Sequence, residues 1–158
     1  MSEDTKLLEC DYLVVGGGAT GLAFVDELIH GSSDIKVVLV DKRSKPGGHW
    51  VDAYPFVRLH QPARTYGVNS RPLGNGGADR ASKAQILAYY ELVVDDLKST
   101  GRFQYFPQCE YLGDGMFKSL LDEKLEYQVR ICTTNAKINK TIAFKYLIKS
   151  KLFMVKTS

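Results

Sequence analysis

The sequence predicts an α/β fold built on a strand, a glycine turn, a helix and a second strand. The first observation is the apolar, β-branched run Tyr12–Val15, which is typical of a strand buried on both faces and ends at three glycines. The second is the helical spacing of apolar residues between positions 22 and 29, after which Gly31 marks the end of a helix. The third is the apolar run at 35–40, which leads directly to Asp41. Together they predict a βαβ unit with two parallel strands.

The glycines of this unit have the spacing G-x-G-x-x-G, at Gly16, Gly18 and Gly21. The first glycine permits a tight turn, the second lets a pyrophosphate approach the backbone, and the third lets helix and strand pack closely. The unpaired N–H groups and the dipole of the helix N-terminus favour phosphate. Asp41 follows twenty residues after Gly21 and can accept hydrogen bonds from a ribose 2′-OH. We therefore expect a dinucleotide site; the alternative is a βαβ unit whose glycines serve only the turn.

Length and composition limit the other possibilities. A chain of 158 residues with 44% hydrophobic content suits one packed domain. No stretch approaches the ~20 apolar residues of a membrane span, and the N-terminus lacks the basic and apolar regions of a signal peptide, so we expect a cytoplasmic protein. Three widely spaced cysteines and three scattered histidines indicate neither a disulfide framework nor a metal site. Nucleic acid is not expected as a partner.

A glycine-rich loop follows Asp41. Residues 42–50 read Lys-Arg-Ser-Lys-Pro-Gly-Gly-His-Trp, in which the proline and the two glycines disfavour a continuing strand or helix. With the run 11–21 and Asp41, this loop resembles the N-terminal FAD-binding segment of the flavin-containing monooxygenases and related flavoprotein oxidoreductases. Residues 52–62 also resemble the Tyr-Pro and Leu-x-x-Pro stretch that lies beside the flavin in that family. The resemblance covers roughly residues 10–111.

This resemblance implies a Rossmann-like FAD/NAD(P)-binding three-layer fold, here apparently truncated, and a set of cofactor contacts. The turn glycines would hold the FAD pyrophosphate, Asp41 would bind the adenosine ribose, and Arg43 would lie beside the adenine. His49 and Trp50 would lie along the isoalloxazine and ribityl part, with Gln61 close to the flavin ring; for His49 and Trp50, a structural role is the alternative. The expected cofactor-binding residues are Gly16, Gly18, Ala19, Thr20, Gly21, Asp41, Lys42, Arg43, Gly48, His49, Trp50, Gln61 and Cys109.

The elements that follow are expected to be scaffold. Residues 69–81 form a polar loop. Ser82 begins a helix in which Gln85 stands at the position of a capping box. A strand is expected at 103–106, and the turn signal Asp114-Gly115 predicts the first hairpin of a β-meander that ends near residue 132.

The last part of the chain has a different composition. Residues 127–158 contain seven Lys or Arg and no acidic residue, and residues 134–158 do not resemble the family. We therefore expect an incomplete dinucleotide-binding domain at 1–133 and a basic tail at 134–158. For the tail, one interpretation is an amphipathic helix over 144–155, and another is a shortened gene product.

The resemblance implies an FAD-dependent oxidoreductase of the monooxygenase type. NAD(P)H would be its electron donor, but a second glycine-rich turn for that nucleotide is not encoded in these residues. No catalytic side chain is assigned, since no Ser/His/Asp set or paired carboxylates stand out and the cofactor would supply the chemistry. One alternative is a catalytically silent FAD- or NAD-binding module that acts through a partner chain completing the fold. Another is a chain that binds nothing stably because a sheet edge is exposed.

Overall fold

The computed structural model describes residues 5–132 and, beyond them, two strands at 141–144 and 154–156. The strands are β1 (Thr5–Cys10), β2 (Tyr12–Val15), β3 (Val37–Val40), β4 (Phe103–Phe106), β5 (Cys109–Gly113), β6 (Met116–Ser119), β7 (Glu126–Ile131), β8 (Thr141–Phe144) and β9 (Met154–Lys156). The helices are α1 (Ala19–Gly31), α2 (His49–Asp52) and α3 (Lys83–Ser99), with a single 3-10 turn at Ala63–Thr65.

The strands form two sheets. The first has the order β4-β3-β2-β8-β9, and its pairs β4·β3, β3·β2 and β2·β8 are parallel. The second has the order β1-β7-β6-β5, in which β5, β6 and β7 form the expected antiparallel meander and β1 runs parallel to β7. The parallel sheet therefore carries the predicted βαβ unit.

Side chains of the parallel strands point alternately to the two faces of the sheet, and each face belongs to a separate hydrophobic core. Val14 and Leu39 face α1 and α3, where they pack with buried residues of both helices. Leu13 and Val38 face the opposite way and pack against the meander. Since Leu13 and Val14 are both fully buried, β2 has the two covered faces that its apolar run indicates. The layers are thus helices, parallel sheet and meander, which confirms the predicted three-layer α/β fold.

The ends of α3 follow the sequence signals closely. Ser82 Oγ accepts the Gln85 N–H at 3.3 Å, and Gln85 Oε1 accepts the Ser82 N–H at 2.8 Å, which completes the expected capping box. The apolar face of the helix, from Ile86 to Leu97, is buried against the parallel sheet. Gly101 then adopts a φ of 71°, which allows the chain to turn sharply into β4.

Arg102 fastens the end of α1 to the start of β4. Its guanidinium donates to the carbonyl oxygens of Ile29 at 2.9 Å, Ser32 at 2.6 Å and Ile35 at 3.4 Å. The last carbonyls of a helix have no intrahelical partners, so a cation at this position both caps α1 and opposes the negative end of its dipole.

The meander begins at the predicted hairpin. Asp114 and Gly115 have φ values of 48° and 76°, as a two-residue type I′ turn requires, and they join β5 to β6. The strand β1 was not predicted from the sequence; its residues are mostly half-buried or exposed, so they lack a continuous apolar run.

The structure contradicts one of the two interpretations of the tail. Residues 141–144 and 154–156 are strands, so the amphipathic helix over 144–155 is wrong at both of its ends. Pairing of β8 along β2 explains the difference, because the edge of a parallel sheet offers backbone partners that an isolated helix would not use. The residues between these strands, like 133–140, lie outside the described part of the chain.

Candidate dinucleotide-binding site

The glycine turn lies where β2 ends and α1 begins. Gly16 has a φ of 109° and donates its N–H to the Val40 carbonyl at 2.8 Å, so the turn is tied to the end of β3. Gly18 is the N-cap of α1, and the first helical bond runs from the Leu22 N–H to the Gly18 carbonyl at 2.9 Å. No side chain caps this terminus. The N–H groups of the first turn, which includes Ala19 and Thr20, therefore point out of the helix end.

Asp41 lies against this turn. It is 3% exposed, its Oδ2 accepts the Gly17 N–H at 2.5 Å, and its Oδ1 accepts the Arg43 N–H at 2.8 Å. A Cβ at Gly17 would approach Oδ2 to 3.0 Å, which explains the glycine between the two motif positions. Asp41, which was identified by its distance in sequence from the glycines, therefore lies next to them in the fold.

The second pair of glycines packs directly on the first motif. The Gly47 N–H donates to the Gly17 carbonyl at 2.8 Å. Gly48 has a φ of 60°, and a Cβ on it would lie 2.9 Å from the Gly18 Cα. A Cβ on Gly18 itself would make an ordinary 3.4 Å contact with the Gly48 Cα. Two glycine motifs that lie far apart in the sequence therefore pack directly on each other and form adjoining walls of the candidate site.

The helix α2 follows the second pair of glycines and was expected to be loop. Its Trp50 ring is only 7% exposed, packs edge-on against Tyr66 and donates its Nε1–H to the Tyr66 hydroxyl at 2.7 Å. The ring of Trp50 is therefore part of the core, as the structural alternative proposes. The His49 ring lies on the exposed side, 5.1 Å from the Trp50 ring. Partial burial, together with the Arg43 guanidinium, lowers the pKa of His49, while Asp52 acts in the opposite direction.

Arg43 joins the loop after β3 to α2. Its Nε and Nη2 both donate to Asp52 Oδ2, at 2.8 and 2.6 Å. Its carbonyl accepts the Gln108 N–H, and the neighbouring Cys109 N–H donates to the Asp41 carbonyl at 3.0 Å. The backbone of Cys109 therefore lies beside Asp41, while its thiol is buried and burial raises its pKa.

Two of the expected cofactor-binding residues take no part in the contacts described above. Lys42 is exposed, and Gln61 is half-buried just before the 3-10 turn. Within the described residues, no His, Cys, Asp or Glu cluster suited to a metal ion is found, and none of the helices is long and apolar enough to cross a membrane.

Three residues of the site were missed by sequence reasoning. They are the partners that fix its shape: Tyr66 beneath Trp50, Asp52 against Arg43, and Lys83, whose ammonium reaches the end of α2. For Asp52, the sequence offers only a weak signal, which is a carboxylate close in sequence to an arginine. Tyr66 and Lys83 contact α2 through tertiary packing alone, so no sequence pattern marks them.

Comparison with known proteins agrees with this geometry. Residues 14–70 match the model of an NAD(P)-binding Rossmann-like domain, a range that contains the glycine turn, Asp41 and α2. Uncharacterised proteins of Mycobacterium bovis and Mycobacterium tuberculosis are 51% identical over 126 residues, which is 73% of this chain and 23% of theirs. The chain thus spans about a quarter of the length of the curated relatives it matches.

Two solved structures share the fold. A flavin-containing monooxygenase from Stenotrophomonas maltophilia superposes with a TM-score of 0.58 at 20% identity, covering 77% of this chain and 36% of the other. A bacillithiol disulfide reductase from Bacillus cereus gives a TM-score of 0.59 at 17% identity, covering 77% and 38%. The resemblance is thus confirmed at the level of the fold: residues 14–70 match an NAD(P)-binding Rossmann-like domain, and the chain shares its fold with these two proteins.

Proposed function

We propose that this chain is the FAD-binding part of a flavoprotein oxidoreductase. The observation that carries the proposal is the packing of the Gly47–Gly48 backbone on the uncapped glycine turn, with the carboxylate of Asp41 buried beside it. Backbone N–H groups, absence of side chains and an adjacent acid are the features that dinucleotides require.

The FAD pyrophosphate would lie at the N-terminus of α1. The N–H groups of Ala19 and Thr20 are free of helical partners there, and the positive end of the dipole adds to their attraction for phosphate. Gly18 adds no side chain to this end of the helix, and its Cα packs on Gly48. Gly16 and Gly21 act on the fold, since Gly16 makes the turn and Gly21 is buried where α1 meets the sheet.

The adenosine ribose would bind to Asp41. Each of its carboxylate oxygens accepts one backbone N–H, and a carboxylate offers about four lone-pair sites, so acceptors remain for ribose hydroxyls. The negative charge opposes a 2′-phosphate, which favours FAD or NAD over NADP at this position. The backbones of Cys109 and Arg43, which both bond to Asp41, and the exposed Lys42 between Asp41 and Arg43 would flank the adenine.

The loop that continues from Gly48 favours FAD over NAD. It adds a second wall, with His49 exposed next to it and Gln61 further along, where the flavin end of a longer dinucleotide would extend. One of the similar structures is named as a flavin-containing monooxygenase, which supports a flavin. Bound flavin would supply hydride and electron transfer, while this chain would bind it, orient it and exclude water.

A catalytically silent module that binds FAD or NAD and acts with a partner chain is the second candidate. It is favoured by the single G-x-G-x-x-G in the sequence.

The visible spectrum of the purified chain tests both. A flavin band that bleaches with NADPH or NADH under air and then recovers would support the oxidoreductase, whereas a stable yellow protein would support the silent module. A colourless chain that FAD does not colour would refute FAD binding.

Substitutions at Gly18 test where the cofactor binds. Gly18→Val should abolish binding, because the methyl groups of its branched side chain would push Gly48 away from the glycine turn. Gly18→Ala adds only a 3.4 Å contact, so the chain should stay folded while its affinity falls. The matched control is Gly31→Ala, since a Cβ there meets nothing within 4 Å. Unchanged affinity in both Gly18 variants would exclude this turn as the pyrophosphate site.

A further inference from the structure

The helix α2 is held at both ends. At its start, Gly48 is in close contact with Gly18 of the glycine turn. A helix of only four residues cannot hold itself in place, because its terminal N–H and carbonyl groups lack helical partners. The position of the second wall of the site therefore depends on what anchors the other end of α2.

The anchor at that end is Lys83, the first residue of α3. Its Nζ donates to the carbonyl oxygens of Val51 at 3.0 Å and Ala53 at 2.6 Å. Its side chain is half-buried, and its own N–H donates to the Val57 carbonyl at 3.0 Å, so the lysine is itself fixed in place. A cation at the C-terminal end of a helix satisfies free carbonyls and opposes the dipole.

Two other polar contacts brace α2: the Trp50 Nε1–H donates to the Tyr66 hydroxyl at 2.7 Å, and Arg43 pairs with Asp52. The ion pair is more open to solvent. The Asp52 side chain is 62% exposed, and ion pairs of this kind contribute little to stability. The bonds from Lys83 instead reach carbonyls on the side of α2 that packs against α3. Lys83 is thus the brace that bonds the main chain at the C-terminal end of α2, whereas the other two contacts hold side chains of the helix.

We propose that Lys83 is a positioning residue for the dinucleotide site: it holds α2 so that Gly47 and Gly48 stay packed on the glycine turn before the cofactor arrives. The inference rests on the proposed function. Lys83 acts through α2 and contacts no part of the expected cofactor. Its loss lowers the fraction of molecules with a formed site, and the apparent affinity falls in proportion to that fraction.

The test uses Lys83→Met, which keeps the length of the side chain and removes its charge and donors, together with Lys83→Arg, which keeps both. Trp50 is the only tryptophan and lies within α2, so quenching of its fluorescence by acrylamide reports directly on this helix in the absence of cofactor. Titration with FAD gives the affinity. The control is Lys98→Met, at the far end of α3, where the lysine is exposed.

In Lys83→Met we expect Trp50 to become more accessible to acrylamide and the Kd for FAD to rise about tenfold, as it would if α2 were docked in about one molecule in ten. Lys83→Arg should restore both properties, and Lys98→Met should change neither. If Lys83→Met does not fold, Lys83→Gln, which keeps a donor, is measured in the same way.

Wild-type quenching and wild-type FAD affinity in a folded Lys83→Met would overturn the inference and leave the proposed function standing. Absence of FAD binding in the wild-type chain would instead remove the proposed function and the inference with it.

Discussion

Replacing Gly48 by alanine tests the contact on which the candidate site depends. The residue has a φ of 60° and a ψ of −127°, a conformation that L side chains rarely adopt. The added Cβ would also lie 2.9 Å from the Gly18 Cα, which is backbone and cannot rotate away. Gly48→Ala therefore combines backbone strain with a steric clash, and both separate the two walls of the site.

The size of the effect follows from these two contributions. A residue in a sparsely populated backbone region costs about 1–3 kcal/mol. Overpacking against a fixed neighbour costs about 1–3 kcal/mol more. We therefore expect the free energy of unfolding to fall by about 2–6 kcal/mol; a loss of about 3 kcal/mol lowers the Tm of a chain of this size by about 6–12 °C.

Urea unfolding followed by Trp50 fluorescence, together with FAD titration, provides the assay. Two glycines separate the contributions. Gly76 has a φ of 89° but open space around it, so Gly76→Ala should show strain alone, about 1–3 kcal/mol. Gly31 has neither a positive φ nor a close neighbour, so Gly31→Ala should stabilise the chain by about 0.4–1 kcal/mol.

The role of the contact between Gly48 and Gly18 is refuted if Gly48→Ala unfolds at the same urea concentration as wild type. It is also refuted if Gly48→Ala loses no more stability than Gly76→Ala and keeps full FAD affinity, since the contact with Gly18 would then have no role.

Three further predictions concern titratable and buried groups. Tyr105 has a buried hydroxyl without a hydrogen-bond partner in the described part of the chain, so Tyr105→Phe should raise the free energy of unfolding by about 1 kcal/mol in urea unfolding; a decrease would show that the hydroxyl is paired. In the folded protein the pKa of His49 lies below its ordinary value of 6.5, so the unfolded chain binds a proton first as the pH falls. The stability that neutral His49 contributes is therefore complete above about pH 6.5 and is lost as the pH falls below it. His49→Gln should therefore flatten the decrease in Tm below that pH, and an unchanged pH profile would contradict the assignment. Burial raises the pKa of Cys10 to about 12 and also raises that of Cys109, whereas Cys132 is exposed. A thiol reagent at about pH 8 should therefore modify Cys132 in the native chain and all three cysteines after unfolding. Labelling of Cys10 in the native chain would be inconsistent with its burial.

Local signals explain why much of the fold could be predicted from the sequence. The strand β2 and the helices α1 and α3 each combine an apolar period with a clear terminus, such as the capping box at Ser82. Asp114-Gly115 specifies its hairpin because two consecutive positive φ values need such residues. In these segments, the local preference and the tertiary fold agree.

The rest depends on contacts that a linear pattern does not contain. The strand β1 is defined by parallel pairing with β7, whose partner residues lie more than a hundred positions away. The tail has helical spacing, yet its described segments, at 141–144 and 154–156, pair as strands because the sheet offers them backbone partners. Within the site, Asp41 was found because its distance from the glycines is characteristic, whereas the anchor Lys83 occupies the first turn of a helix, where lysine has no special meaning.

The three bonds from Arg102 also bear on the order in which the domain folds. The guanidinium stands immediately before β4, more than sixty residues from the carbonyls that it satisfies at 29, 32 and 35. These carbonyls at the connection between α1 and β3 can therefore be hydrogen-bonded by Arg102 only after the edge strand β4 has docked, although α1 and β3 belong to a local βαβ unit. The Val37 N–H at the end of this connection donates to the Arg102 carbonyl at 2.9 Å, so in native-state hydrogen exchange this amide should exchange together with those of β4, as one cooperative unit.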